Sequence, residues 1–405
     1  MTLNEYFYKF LYFKNKTIYL ILLLPISLFV GSTITNLLII AISILFIIES
    51  IKKKNYFFLN KEFLILSVFY IYLILNSIFL TQTSDSILRA IGFIRFPLLA
   101  YAIAYYFSLE KGVYQKQVLS LWFLIFLVTS FDIIFEFFVG FNFIGNTSNY
   151  PGRLASFSGE ELKIGGYYFG FVLLSLWIVL KNYKKYYFFF IILFLFSSLL
   201  IGEKANFIKC IFLTSIFLIF IDKKSILKKL SLISLFIIFA FIFIKLNPPL
   251  NSRFVHHVFN LTKIDSYESL VRSNQHFSHY NTAFEIFKKN PFFGIGLKNF
   301  RNLSFGKEYN KIENVNGGST HPHQIHFEML SEIGLMGYIL LFGILIYFII
   351  KGIKFYIYNR DLLYLTGSLF ILATILPIIP SGSFFTTYSA TIFWINLSFV
   401  LRSYK

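Results

Sequence analysis

Charged side chains are scarce in this sequence, and acidic ones are the scarcest. Only 14% of the 405 residues are charged, whereas soluble domains carry about a quarter. Asp and Glu together number 19, against 37 Lys and Arg. Apolar residues make up 57% of the chain and occur in long runs rather than in amphipathic patterns, which excludes an ordinary soluble fold. We therefore predict a chain that folds in lipid.

The single cysteine, Cys210, lies within an apolar run, so the chain cannot form an internal disulfide. The formal net charge of +18 would suggest a nucleic-acid partner in a soluble protein. Here the lysines lie in short gaps between apolar runs, where they suit the surface of a membrane. We expect membrane lipids, and no nucleic acid, as partners.

Twelve apolar runs approach the length of about 20 residues that a spanning helix needs. They fall near residues 17–32, 35–51, 63–80, 91–108, 118–139, 165–180, 186–202, 206–221, 226–246, 324–350, 362–379 and 384–401. The pattern predicts an all-α polytopic membrane protein of about twelve transmembrane helices. Helices one to nine would occupy residues 1–246 and helices ten to twelve residues 324–405, separated by one large extracytoplasmic loop, 247–323.

The basic residues test this order of spans, because cytoplasmic loops are enriched in Lys and Arg. If both termini are cytoplasmic, most lysines fall in inner segments. The short outer loops then hold only Arg89, Arg153, Lys163 and Lys204. We therefore expect both termini in the cytoplasm and the loop 247–323 outside.

Ionisable side chains inside the predicted spans are costly and often functional, and Arg95, Asp132, Glu136 and Lys209 are candidates for this reason. Asp132 and Glu136 are four residues apart and so share one helix face. Two interpretations stay open. Arg95 or Lys209 pairs with one of the carboxylates as a structural ion pair, or the four groups act directly on a substrate.

Two cations lie in short outer segments that contain glycine. Arg153 follows Pro151-Gly152 before the sixth span, and Lys204 follows Gly202-Glu203 after the seventh. An isolated loop cation is usually just solvated. Two of them together suit an anionic headgroup such as a diphosphate, with Arg as a bidentate fork and Lys as a point charge.

All seven histidines lie in the long outer loop or at the start of the next helix: His256, His257, His276, His279, His321, His323 and His326. We expect that helix to begin near Pro322, because proline suits a first turn. His323 would then lie in the first turn, where the helix dipole favours a neutral imidazole and a bound phosphate. A metal site, ordinary interfacial histidines and a general base at His323 all stay open, although the spacing matches no metal signature closely.

The segment after His323 resembles the signature of the O-antigen ligase family, which is His, then Asn, Ser or Gln, nine residues, Gly, two residues, Gly. Here it reads His323-Gln324, nine residues, Gly334-Leu335-Met336-Gly337. Upstream, Asn290-Pro291-Phe292-Phe293-Gly294-Ile295-Gly296 is similar to an Asn-Pro-x-x-Gly-x-Gly stretch of the family's outer loop. The Arg153 segment and the Gly202-Glu203-Lys204 turn are also similar to recurring pieces of the family, although the turn more usually carries Arg.

This resemblance implies a membrane-embedded glycosyltransferase of the GT-C type. Such an enzyme would take a glycan from undecaprenyl diphosphate and attach it to a sugar hydroxyl of the lipid A core, at the outer face of a bacterial inner membrane. In the related O-antigen polymerases the acceptor is another carrier-linked repeat unit. The implied reaction inverts the anomeric carbon and needs no metal or other cofactor, because cations stabilise the departing diphosphate.

The resemblance also implies roles for individual residues. His323 would be the general base, and Arg153 and Lys204 would hold the diphosphate. Further candidates for substrate binding are Arg272, His279, Tyr280, Gln324 and Arg89. For Tyr280 and Arg272 the sequence leaves open whether they bind sugar or pack the loop.

A polysaccharide or lipid transporter is the alternative from a different class, and it would use the charges within the spans. Transporters place polar residues near the midplane of several spans and often show internal repeats. This sequence shows no clear repeat, and its polar residues concentrate toward one face of the bilayer. We therefore favour an enzyme.

Overall fold

The computed structural model describes residues 13–402 except 57–58, 82, 162, 222–225, 257–265, 311, 313–314 and 316. Within these residues the chain forms helices and no strands. Lipid offers no hydrogen-bond partners, so a chain of this composition satisfies its backbone groups within helices.

The first part of the chain, up to residue 246, contains eleven described α-helices. They are α1 (Thr17–Leu22), α2 (Leu24–Val30), α3 (Ser32–Lys52), α4 (Lys61–Asn76), α5 (Ser84–Phe93), α6 (Arg95–Ser108), α7 (Val113–Val139), α8 (Ile164–Asn182), α9 (Tyr187–Leu200), α10 (Lys204–Ile221) and α11 (Ile226–Leu246). Shorter helical turns lie at Ser77–Thr81, Leu109–Gly112, Ser156–Glu161 and Lys184–Tyr186.

The second part begins with short helices and ends with three apolar ones. They are α12 (Pro248–Asn251), α13 (Tyr267–Ser273), α14 (Gln275–Lys289), α15 (Phe300–Leu303), α16 (Ile325–Asn359), α17 (Leu362–Thr374) and α18 (Thr387–Leu401), with a π-helical turn at Ser252–His256. Polar side chains cap several of these helices. Asn274, for example, accepts hydrogen bonds from two backbone amides at the start of α14.

Seven helical segments among the described residues are long and apolar enough to cross a membrane, and α17 and α18 are shorter apolar helices. One of the seven, Ser84–Val139, is folded back on itself, because Glu110 and Lys111 adopt positive φ angles of 49° and 54°. α6 and α7 therefore pack side by side. The prediction of an all-α polytopic membrane protein is confirmed, and the count of twelve spans stays a prediction.

The helices differ strongly in how far they are enclosed. Of the most apolar window of α8, 83% is buried inside the protein, whereas for α11 the figure is 22%. Close approach at the centre depends on small residues. Asn396 of α18 donates from Nδ2 to the carbonyl of Gly170 in α8 at 3.0 Å, and a Cβ at Gly170 would overlap Ile392. α8 is thus a central helix and α11 a peripheral one that faces lipid.

Helix α16 is broken at Gly334, which has φ 67° and ψ −175°. The break frees backbone groups that a helix would otherwise pair. The segment 290–297 satisfies them, because the amides of Ile295 and Gly296 donate to helix carbonyls at 3.0 and 2.7 Å, and the amide of Leu335 donates to Pro291 at 2.8 Å. Tyr72 of α4 donates to one further freed carbonyl at 2.6 Å. The Asn-Pro-x-x-Gly-x-Gly stretch is therefore docked into the break in α16.

The two glycines of the His323 signature have different tasks. Gly337 leaves one helix face slim for close contact, since a Cβ there would meet the ring of Tyr72. Gly334 instead supplies a backbone conformation that is almost confined to glycine, and a Cβ there would overlap the backbone of Phe292.

Gly334→Ala should therefore prevent stable folding. The strained backbone alone costs about 1–3 kcal/mol, and the overlap with Phe292 adds to it. The matched control is Gly343→Ala in the same helix, where a Cβ meets nothing within 4 Å. Thermal melting and size-exclusion profiles of the solubilised proteins measure the effect. Equal melting temperatures for the two variants would contradict this account of the break.

Candidate functional site

Several connecting segments meet at one end of the helix bundle, which we call the site end. Leu154 donates to the carbonyl of Ile201 at 3.2 Å, and Ser381 donates to the carbonyl of His323 at 2.8 Å. The segments brought together include 142–158, 201–203, 247–253, the described parts of 290–323, and 375–386. Most of them were predicted to be extracytoplasmic, whereas most of 375–386 was predicted to lie within the last two spans.

Four histidines form a cluster at the site end, which we call the histidine cluster. They are His276, His279, His321 and His323. The ring of His323 lies at the centre of the cluster, with ring-centroid distances of 4.0 Å to His321 and 5.4 Å to each of the other two. The hydroxyl of Ser319 lies 3.2 Å from Nε2 of His323 and orients the ring. His257 lies outside the described residues.

His323 lies before helix α16 rather than within it. We expected α16 to begin near Pro322 with His323 in its first turn, and this was wrong. The helix begins at Ile325, and His323 has a left-handed backbone with φ 60°, which is rare for a side chain of its size. The carbonyl bond to Ser381 holds this conformation. The ring is therefore fixed by the surrounding loops.

Three imidazole groups of the cluster, those of His279, His321 and His323, have lowered pKa values. Burial, together with the neighbouring His276 and His279, lowers the pKa of His323 to about 4. Burial also lowers the pKa of His321 to about 2, with help from His323 and Lys298. We expected neutrality to come from the helix dipole. The structure instead attributes it to burial and to other nearby cationic groups.

Gln324, rather than Pro322, marks the start of helix α16. We had predicted that Gln324 binds substrate. Gln324 is the buried N-cap of α16, and its side-chain oxygen accepts hydrogen bonds from the amides of His326 and Phe327 at 2.7 and 3.1 Å. A proline at the first helical position is absent, and a side-chain cap takes its place. Gln324 thereby fixes where α16 begins relative to His323.

His326 is separated from the cluster by its hydrogen bonds. Its Nε2 lies 2.9 Å from the carbonyl of Ile375, which can only accept, so this nitrogen carries the proton. Its Nδ1 then accepts from the hydroxyl of Tyr338 at 2.9 Å. Both ring nitrogens are used, so His326 ties α16 to the segment 375–386.

Two of the predicted substrate-binding residues lie at the histidine cluster, His279 beside His323 and Tyr280 beside His276. His279 is buried and donates from Nδ1 to the carbonyl of Gly317 at 3.0 Å. Tyr280 stacks on Phe327 with ring centroids 4.9 Å apart, and its buried hydroxyl has no hydrogen-bond partner among the described residues. Nε2 of His321 is buried without such a partner as well. These unpaired polar atoms leave hydrogen-bonding capacity for a polar ligand.

A network of buried charged side chains, Lys298, Glu328 and Glu332, lies next to the histidine cluster. The sequence analysis missed it. Lys298 donates to Ser383 and lies 3.9 Å from a carboxylate oxygen of Glu328. Glu328 also accepts from Ser383 and, at 2.8 Å, from the amide of Phe384. The backbone amide of Lys298 donates to Glu332 at 2.8 Å. Glu328 and Glu332 could have been found, because they lie four residues apart in an apolar run, as Asp132 and Glu136 do.

A second cluster of cations surrounds Glu203 at the tight turn between α9 and α10. Arg153 pairs with Glu203 at 2.6 Å. Arg253, which the sequence analysis also missed, donates from Nε to the carbonyl of Gly202 at 3.0 Å. Burial lowers the pKa of Arg253, and the nearby positive charge of Arg153 lowers it further. Lys204 follows in the same turn and is also within electrostatic range of Arg253. We call Arg153, Lys204 and Arg253 the cation cluster.

Close backbone contacts hold the cation cluster together. A Cβ at Gly202 would overlap the carbonyl of Gly152, and a Cβ at Gly152 would meet Pro249 and the side chain of Arg253. Both glycines have positive φ, 75° and 72°. The three segments can approach only because these positions carry no side chain, so the turn glycines place the cations.

Asp132 and Glu136 hold the loop that carries Arg153. Asp132 accepts from the amide of Phe143 at 2.7 Å and from the hydroxyl of Ser156 at 2.6 Å. Glu136 accepts from the amides of Ala155 and Ser156 at 2.8 and 2.6 Å. The interpretation that Arg95 or Lys209 pairs with one of these carboxylates was wrong. The carboxylates instead accept hydrogen bonds from loop amides that have no helix carbonyl to pair with.

Lys209 and Arg95 have other partners. Nζ of Lys209 donates to the carbonyl of Pro380 at 3.2 Å, so α10 and the segment 375–386 are joined. Arg95 donates to the carbonyl of Gly92 and lies over the ring of Phe96 at 4.3 Å. Asp132 and Glu136 therefore hold one loop together, whereas Lys209 and Arg95 each make a separate local contact.

The remaining candidates lie away from the histidine rings. Arg272 pairs with Glu268 one turn earlier on α13, and both side chains are exposed. Arg89 lies on α5 and lines a cavity of about 270 Å³ together with Arg95. Within the described part of the chain, no group of three or more His, Cys, Asp or Glu has an arrangement that would hold a metal ion.

The segment 375–386 connects the two clusters, and we call it the bridging loop. Ser381 contacts His323, while the neighbouring Pro380 contacts Lys209, five residues after Lys204. A neutral base and a set of cations are thus carried by one connected frame. Such a frame can deprotonate a hydroxyl and stabilise a departing anion.

A family model described as O-antigen ligase matches residues 189–342. The matched part includes Lys204, Arg253, His323 and the break at Gly334, whereas Arg153 lies before it. The predicted resemblance to this family is therefore confirmed, and it supports a membrane enzyme of the ligase or polymerase type in broad terms. None of the curated proteins compared with the chain matches it.

We expect the rings of His321 and His323 to stay neutral from about pH 8 down to about pH 5, where an ordinary histidine gains a proton. The unfolded chain binds these protons near pH 6.5 and the folded chain does not, so stability should fall as the pH drops from about 6.5 towards 4. NMR of ¹⁵N-histidine-labelled protein, assigned with His321→Gln and His323→Gln, measures the titration. A midpoint near 6.5 for His323 would contradict the assignment.

Proposed function

We propose that this chain, whose residues 189–342 carry the O-antigen ligase family domain, is a glycosyltransferase that moves a glycan from undecaprenyl diphosphate to a sugar hydroxyl of the lipid A core. The observation that carries the proposal is the half-buried ring of His323 at the centre of the histidine cluster, fixed by the bridging loop that also contacts the helix of Lys204. The enzyme would be a multi-pass protein of a bacterial inner membrane, with this site on the periplasmic face.

His323 acts as the general base in this mechanism. The acceptor hydroxyl gives its proton to the free ring nitrogen of His323 as its oxygen attacks the anomeric carbon of the donor. The bond between that carbon and the diphosphate oxygen breaks, and the electron pair leaves with the diphosphate. Attack opposite the leaving group inverts the anomeric carbon. The lowered pKa leaves the ring unprotonated, and so able to accept a proton, at any pH well above about 4.

The cation cluster stabilises the diphosphate as it departs. Arg153 offers a planar fork, Lys204 a point charge and Arg253 a second guanidinium, which Arg153 repels. Glu203 holds the fork of Arg153 at 2.6 Å before the donor arrives. Three preorganised cations supply the charge stabilisation, so the proposed mechanism requires no metal ion.

The histidine cluster and its surroundings would receive the sugars. The unpaired hydroxyl of Tyr280 and Nε2 of His321 are buried at this site and suit sugar hydroxyls. His279, whose Nδ1 is already engaged by Gly317, presents its remaining nitrogen to the cluster. Arg272 would act only if the donor glycan extends to α13, where this side chain pairs with Glu268. The apolar outer faces of the helices would accommodate the polyprenyl tail.

The proposed orientation is supported by the opposite end of the bundle. Basic residues predicted to be cytoplasmic form ion pairs there, such as Lys351 with Glu62 at 2.8 Å and Arg402 with Asp361 at 3.4 Å. Helix α16 runs from the histidine cluster to Lys351 and beyond, so the two ends lie on opposite sides of a spanning helix. The proposed arrangement has about twelve spans and both termini in the cytoplasm.

A repeat-unit polymerase is the second candidate, because its donor is the same and only its acceptor differs. The cation cluster and His323 would act identically in either enzyme. A transporter has less support, since Asp132 and Glu136 are occupied in holding the Arg153 loop. The test of function must therefore separate two acceptors.

Deletion of the gene in its host should leave long glycans on the carrier lipid and bare core lipid. Wild-type protein should restore glycan-bearing core lipid, while His323→Ala should not, because nothing else at that position accepts the acceptor's proton. Electrophoresis and mass spectrometry of both lipid fractions measure this. Exposed Lys307→Ala is the control and should restore transfer. Core lipid capped with single repeat units would indicate the polymerase, and near-normal transfer by His323→Ala would show that His323 is not the base.

Lys204→Gln and Arg253→Gln should each lower kcat/KM for the donor about 10- to 100-fold, the loss that one charge-assisted contact to a diphosphate would cause. Lys204→Arg keeps the charge and should retain most activity. Arg153→Lys keeps the charge but loses the fork that Glu203 holds, so it should be impaired. Initial rates at saturating acceptor provide the measurement. Full activity of Arg153→Lys would argue against a bidentate grip.

A further inference from the structure

A cavity of about 270 Å³ lies between α5, the start of α6 and two loop segments of the site end. Its wall includes Arg89 and Arg95, with Asp85 as the one acidic residue and apolar side chains that include Leu297 and Phe385. The site described above uses none of these residues for catalysis. The lining thus combines two cations with an apolar surface.

Both guanidinium groups lack a carboxylate partner within 4.0 Å among the described residues. Arg95 is half-buried, and its Nε is enclosed without a hydrogen-bond partner in the described part of the chain. Among the described residues, its guanidinium donates one hydrogen bond, to the carbonyl of Gly92. Arg89 lies close enough to repel it electrostatically. Two neighbouring cations that repel each other, with unused donors, favour an anion between them.

The position of the cavity relates it to the proposed base. Leu297 and Phe385 in its wall are the chain neighbours of Lys298 and Phe384, which both contact Glu328. Glu328 lies in the first turn of α16, just after His323. The cavity therefore adjoins the network beneath the histidine cluster. The cation cluster contributes no residue to it.

We propose that Arg89 and Arg95 bind a phosphate group of the acceptor lipid. This inference rests on the proposed function, in which two amphiphiles must be held at once. The donor diphosphate has its own cations in Arg153, Lys204 and Arg253. The acceptor needs an anion site on the side of the base that removes its proton, and the mixed cationic and apolar lining suits the phosphorylated end of a lipid. The assignment holds for a ligase and for a polymerase, since both acceptors are phosphate-bearing lipids.

Steady-state rates of the full-length protein in phosphatidylcholine nanodiscs test the site. Arg89→Gln and Arg95→Gln should each raise the acceptor KM about tenfold, the loss of one charge-assisted contact, and leave the donor KM unchanged. Removing phosphate from the acceptor should raise the wild-type KM by a similar factor and make the variants no worse. Lys307→Gln, an exposed charge loss at the site end, is the matched control. A rise in the donor KM, or no change in either, would overturn the assignment.

Binding to His323→Ala, which should not turn over, separates this site from the proposed function. The phosphorylated acceptor should bind this variant about tenfold more weakly once Arg89→Gln is added. If that loss is seen while wild-type protein transfers no glycan, the anion site stands and the proposed function fails. Competition by inorganic phosphate or by phosphatidylglycerol at the acceptor's own concentration would show an unspecific anion site and overturn the acceptor assignment. Arg89 is exposed, so its variant should fold even if Arg95→Gln does not.

Discussion

The backbone hydrogen bonds at the break in α16 are the contact on which the site depends. A spanning helix that opens at Gly334 exposes amides and carbonyls that lipid cannot satisfy. The outer-loop segment 290–297 enters the gap and pairs with them on both sides of the break. Lys298 follows that segment directly and reaches Glu328. Docking the loop therefore places a buried charge beneath the histidine cluster. The two glycine-containing stretches therefore act as a pair, because α16 opens at Gly334 and the segment 290–297 fills the opening.

The bridging loop transmits this order to the rest of the site. It lies between α17 and α18, where an uninterrupted apolar hairpin would have sufficed to cross the membrane. Its backbone groups instead contact His323, His326 and Glu328 on one side and Lys209 on the other. A loop with so many partners has little freedom to move independently of the helices. His323 and the cation cluster are thus held in a fixed relation through this loop.

Three of the charged residues inside the predicted spans, Asp132, Glu136 and Lys209, form hydrogen bonds to the backbone of loops. Asp132 and Glu136 accept from a loop that turns back toward the bundle, and Lys209 caps a loop carbonyl. Burying each of these groups costs desolvation energy. In return, Asp132 and Glu136 fix the loop that carries Arg153, and Lys209 fixes the bridging loop. Arg95 differs, because part of its hydrogen-bonding capacity faces a cavity. That difference separates a structural charge from one available to a ligand.

The sequence by itself determined the lipid-solvated helical class and the family resemblance, and from that resemblance came the prediction that His323 is the base. These follow from local composition and spacing, which one chain carries in full. It could not determine that Asp132 and Glu136 bind backbone, that His323 precedes its helix, or that Arg253 joins Arg153. Ion-pair partners and loop paths depend on which segments are adjacent in space, and residues 100 positions apart meet only after the helices pack. The low pKa of His323 has the same origin, because burial among other loops is a property of the tertiary structure.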